Sequence, residues 1–167
     1  MKKVVVTGMG ILSAIGNGID KVKDSLLNGV SGIKFKQEYS DLGMRSHVSG
    51  SVNIDLAELI DRKLMRFMSK AAAFGYLSAK EALTHSGINL EELNPTRVGI
   101  VAGSGGASPE AQIIASDVAR EKSPKRIGPY AVTKTIGSTV SACMGTCLLY
   151  TSPSPRDRTR SRMPSSA

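Results

Sequence analysis

The chain has 167 residues, of which 41% are hydrophobic, 22% charged and 4% aromatic, with no Trp. This composition excludes fibrous and wholly disordered chains, and no stretch approaches the ~20 apolar residues that span a bilayer. The formal net charge of +8 points to an acidic partner (nucleic acid, anionic membrane or acidic protein), although Thr151–Ala167 supplies +3 of it through Arg156, Arg158, Arg160 and Arg162 against Asp157.

In chain order, Lys2 and Lys3 precede a short apolar run that lacks the longer hydrophobic region of a signal peptide. Val4–Val6 reads as a buried strand entering a tight turn at Thr7–Gly10. Ile19, Val22, Leu26 and Leu27 have helical spacing over Ile19–Asn28, with Gly29 as the C-terminal cap. Residues 31–52 are polar and punctuated by Gly, a loop with short strands. Asp55 with Glu58 three residues on resembles a capping box. Asp61–His85 is the strongest helix, ended by Gly87, and its Ala71, Ala72, Gly75 and Ala79 would let it pack deep in the fold.

Arg97–Ala102 reads as a second buried strand, leading into Gly103–Gly106. Pro109–Arg120 is a helix with Pro in its first turn. Glu121–Gly128 is a basic loop, Pro129–Val140 is helical, and Ser141–Cys143 closes the globular pattern. The alternation of strands and helices indicates an α/β fold. Beyond Tyr150 the residues TSPSPRDRTRSRMPSSA offer almost no apolar surface to offset ordering entropy. Residues 147–167 are therefore expected to be a disordered Ser/Pro/Arg tail, foreign to a domain spanning 1–146.

Four patterns have chemical content. Gly8-x-Gly10 after a strand partly mimics a dinucleotide fingerprint, but Ser13 stands at the third glycine position. A tight turn needing small residues is the plainer reading. Gly103-Ser104-Gly105-Gly106 could cradle phosphate, yet no Lys-Ser/Thr pair follows, so it is not a P-loop. Arg62, Lys63, Arg66 and Lys70 place cations at a helix start, against the macrodipole, and Lys122, Lys125 and Arg126 form a second basic patch. Cys143 and Cys147 lack a nearby His, which argues against structural zinc and for two reduced thiols. No metal and no cofactor is expected.

The segments VVVTGMGILSAIGN, GMRSHVSGSV, IDRKLMRFMSKA, RVGIVAGSGG and IGPYAVTKTIGSTVSACMGT, in this order and spacing, resemble the β-ketoacyl-acyl carrier protein synthases. GMRSHV with IDRK and RFMS points to the type I branch. The resemblance implies a thiolase-like fold, of which this chain is an incomplete N-terminal half. It implies an acyltransferase of fatty acid biosynthesis, cytoplasmic and homodimeric, working on acyl and malonyl carrier protein by decarboxylative condensation. It implies that Arg62, Lys63, Arg66, Lys122, Lys125 and Arg126 bind acyl carrier protein, and that Gly105, Thr135 and Ile136 lie near the acyl pocket. The family's reactive Cys follows the V-S-A-C motif at a distance, so Cys143 matches a structural position. No catalytic residue carries over, and the chain by itself is expected to be inactive. The alternative reading is a basic nucleic-acid-binding module with an Arg/Ser tail.

Overall fold

The computed structural model describes residues 3–89, 97–106 and 108–148. The tail expected over residues 147–167 lies outside them from residue 149 on. The first elements are a hairpin of β1 (Leu12–Ser13) and β2 (Gly16–Asn17), paired Leu12 to Asn17 and Ser13 to Gly16. α1 (Ile19–Leu27) follows and buries Val22. Gly29 takes φ 61° just beyond it, the left-handed conformation expected of a helix stop. β3 (Ile33–Phe35) and β4 (Val48–Gly50) pair antiparallel around α2 (Gln37–Asp41), a helix not expected from the sequence.

α3 (Leu56–Leu59) is capped by Asp55, whose carboxylate accepts from the Ala57 amide at 2.8 Å. The expected continuous helix over Asp61–His85 is two helices, α4 (Arg62–Met65) and α5 (Lys70–Ser86). Ser69 causes the break. Its backbone is extended (φ −80°, ψ 168°) and its side chain accepts from the Ala72 amide at 3.2 Å, capping α5 afresh. Gly87 ends α5 at φ 65°.

α6 (Pro109–Glu121) starts from the Ser108 cap with Pro in its first turn. A 3₁₀ turn, Pro124–Arg126, follows. The single helix expected over Pro129–Val140 is again two, α7 (Ala131–Thr135) and α8 (Thr139–Leu148), because Ile136 is extended (ψ 145°) between them. Ser141–Cys143 is therefore mid-helix, and α8 runs on to Leu148.

The core lies where α5 crosses α8. Ile60, Met68, Ala72, Ala73 and Cys143 form it, with Leu64, Tyr76 and Leu77 packed around. A Cβ on Gly75 would stand 2.7 Å from Val140 Cγ1, so the missing side chain sets how closely the helices approach. The alanines act likewise: Ala72 and Ala73 have no exposed surface.

The two expected buried strands differ from expectation. Val4–Val6 and Arg97–Ala102 pair with no strand among the described residues, and Val4 and Val101 are 95% and 103% exposed. A strand exists only where a neighbour takes up its amides and carbonyls. Here neither apolar run has one.

Candidate functional site

The start of α5, the length of α6 and residues 127–134 enclose a groove of about 460 Å³. Met65, Met68, Ala111, Ile114 and Val118 contribute apolar lining; Arg66, Lys70 and Lys134 bring cations and Glu110 the one carboxylate. Tyr130 closes one side, its ring edge-on to Phe67 with centroids 4.8 Å apart. Lys70 at the head of α5 reaches Glu110 in the first turn of α6, with Nζ 2.9 Å from Oε2 and 3.1 Å from Oε1. A second cleft, lined by Lys122, Ser123 and Arg126, adjoins the groove across Val118, which faces both.

The structure thus brings Arg66 and Lys70 from the first expected basic patch and Lys122 and Arg126 from the second to two depressions that share Val118 of α6. Lys125 sits exposed on the 3₁₀ turn, and Arg62 and Lys63 are exposed on α4, outside both depressions. Arg62 and Lys63 are, as expected, the first residues of a helix, but α4 has only four residues and so little macrodipole to oppose them, and Asp61 caps it, its Oδ1 accepting from the Lys63 amide at 2.7 Å. Only Lys70 opens a long helix, and Glu110 answers its charge. Lys134, Tyr130 and Glu110 were not singled out in the sequence. Nothing in their spacing connects them to Arg66 until α7 folds back along α6.

Gly105, Thr135 and Ile136 are not gathered into these depressions. Gly105 is exposed in a loop with nothing within 4 Å of where a Cβ would stand. Thr135 turns its hydroxyl inward, donating to the Ala131 carbonyl at 3.0 Å. Ile136 is 38% exposed at the link between α7 and α8.

Both thiols lie within α8 rather than at its start. Cys143 is buried in the core one turn in, with Thr139 Oγ1 3.9 Å from its sulfur. Burial, and secondarily the neighbouring Cys143, push the Cys147 thiol above its ordinary value of 9.0. A nucleophilic cysteine needs the opposite, a thiolate stabilised at a helix N-terminus or beside a cation.

The Gly8–Gly10 turn cannot hold a dinucleotide. A Cβ at Gly8 would stand 2.1 Å from the Ala82 carbonyl oxygen, and one at Gly10 2.0 Å from that of Ser78. The turn lies on the backbone of α5, leaving no space there for a pyrophosphate. Glu81 fastens it: its two carboxylate oxygens accept from the Ile11 and Ile19 amides, both at 2.8 Å, and His85 Nδ1 accepts from the Met9 amide at 3.1 Å. Among the described residues no group of three or more His, Cys, Asp or Glu is placed to hold a metal, and no helix is long and apolar enough to cross a membrane.

Solved structures share this fold. A β-ketoacyl synthase from Burkholderia phymatum STM815 superposes with TM-score 0.74 at 21% identity, covering 87% of this chain and 36% of that one. A type II PKS acyl-carrier protein in complex with its ketosynthase gives TM-score 0.69 at 21% identity, with 85% and 37% coverage. The fold is that of the thiolase-like ketosynthases.

The sequence narrows this further. Residues 1–155 match the family model "Beta-ketoacyl synthase, N-terminal domain", and the chain belongs to that family. It is 49% identical over 148 residues to the 3-oxoacyl-[acyl-carrier-protein] synthase 1 of Escherichia coli (strain K12), and 46% over 147 residues to that of Haemophilus influenzae. Against the synthase 2 of Vibrio harveyi, identity is 32% over 141 residues, an ordering that agrees with the type I resemblance. The matches cover 87% of this chain but 36% of the two synthase 1 proteins, so the chain spans about a third of their length.

Proposed function

We propose that these residues are the N-terminal, carrier-recognising portion of a type I β-ketoacyl-acyl carrier protein synthase of fatty acid biosynthesis. Family membership over residues 1–155 carries this reading. The basic groove supports it. A carrier protein presents acidic surface and a phosphopantetheine phosphate, and cations at Arg62, Lys63, Arg66, Lys122, Lys125 and Arg126 would steer it and fix its register. The proposed reaction is a condensation: an enzyme thiolate takes the acyl group from its carrier, malonyl carrier protein loses carbon dioxide, and the resulting carbanion attacks the enzyme-bound thioester.

In this reading the chain supplies docking surface and part of the acyl pocket around Gly105, Thr135 and Ile136, but no nucleophile. Cys143 is core and Cys147 is disfavoured as a thiolate. The working protein is a cytoplasmic homodimer. The unpaired runs Val4–Val6 and Arg97–Ala102 take their strand partners from the remaining length found in the relatives. A condensation assay with acyl and malonyl carrier protein tests the claim. No product above a no-protein control is expected from the 167-residue chain, and turnover would overturn it.

A further inference from the structure

The groove contains one acid, and that acid is already engaged. Both Glu110 oxygens lie within 3.1 Å of the Lys70 ammonium, and no other salt bridge is formed among the described residues. Arg66 and Lys134 on the same groove have no carboxylate partner there. The Lys70–Glu110 pair is solvated, its side chains 65% and 56% exposed, and such pairs are held weakly. An incoming carboxylate or phosphate could therefore displace Glu110 from Lys70 at little cost.

We propose that Glu110 is an internal competitor for the acidic partner: it occupies Lys70 in the free protein, lowers affinity for the carrier and sharpens selection for partners acidic enough to exchange with it. This rests on the carrier-docking reading above. It assigns Glu110 a role in specificity rather than chemistry. Releasing Glu110 from Lys70 costs the same whatever the partner, and only a strongly acidic partner gains Lys70 in return.

The test is fluorescence anisotropy with labelled E. coli acyl carrier protein at low ionic strength, on the full 167-residue chain and its variants. Glu110→Gln, which keeps shape and removes charge, should tighten binding about two- to five-fold, the size of one exposed pair. It should also steepen the loss of affinity with added salt. Lys70→Gln should weaken binding less than Arg66→Gln, and Lys70→Gln/Glu110→Gln should return close to wild type. If wild type binds and Arg66→Gln weakens it, but Glu110→Gln changes neither affinity nor salt dependence, the competitor role is wrong and the docking surface stands. If wild type does not bind, or Arg66→Gln has no effect, both fail. Circular dichroism on each variant separates lost binding from lost fold.

Discussion

Glu81 is the side chain on which the N-terminal turn most depends. One carboxylate satisfies two amides from different segments, tying the turn at Ile11 and the head of α1 to the C-terminal half of α5. Hydrogen bonds to a charged group contribute roughly 1.5–3 kcal/mol. Glu81→Ala should destabilise the chain by at least about 2 kcal/mol, read from urea denaturation midpoints, with Glu81→Gln recovering part of the loss. Gly8→Ala or Gly10→Ala should cost about as much, because each Cβ would lie well inside van der Waals contact distance of an α5 carbonyl oxygen. Cys147 behaves oppositely to an active-site thiol. Since the Cys147 thiol is raised, less thiolate exists near neutral pH than for a free cysteine, and alkylation at pH 7–8 should be slower than for glutathione. The sign for stability follows. Folding favours the protonated thiol, so its contribution is complete below pH 9 and fades as pH rises beyond that value. Alkylation faster than glutathione would contradict this placement.

At the scale of elements, two local choices decide where helices begin. Ser69 and the extended link at Ile136 each divide what periodicity reads as one helix. At Ser69 the reason is that apolar spacing continues across the break, since Leu64, Met65 and Met68 before it and Ala72 and Ala73 after it pack in one core. Periodicity reports which face is buried but not whether the backbone remains helical between. Ser69→Ala should cost about 1 kcal/mol through loss of the cap, and calorimetric melting should show it. Caps with explicit chemistry were legible: Asp55, Gly29, Gly87 and Pro109 all stand where the sequence placed a start or stop. The basic residues of the groove were legible as charges, but their assembly around α6 depends on the fold-back of α7, a tertiary event with no local signature. Glu81 escaped notice because an acid on a half-buried helix looks like ordinary surface until two backbone amides are brought to it.

At the scale of the molecule, the apolar runs at both expected strands depart furthest from the sequence pattern. Their residues were read as strands because β-branched side chains suit a sheet, yet a sheet is a pairing, and one strand cannot supply its own partner. Exposed apolar segments of this kind promote association. The purified chain should bind a hydrophobic dye and sediment as more than a monomer; a monomeric, cooperatively melting preparation with no dye binding would show that these runs are covered. Mixing the chain with octanoyl acyl carrier protein and recording its mass, first under native conditions and then denatured, measures docking and acyl transfer together. A salt-sensitive noncovalent complex is expected, with the denatured chain at its unmodified mass. Absence of any complex, or an octanoyl group on Cys143 or Cys147, would contradict a carrier-docking portion without a nucleophile.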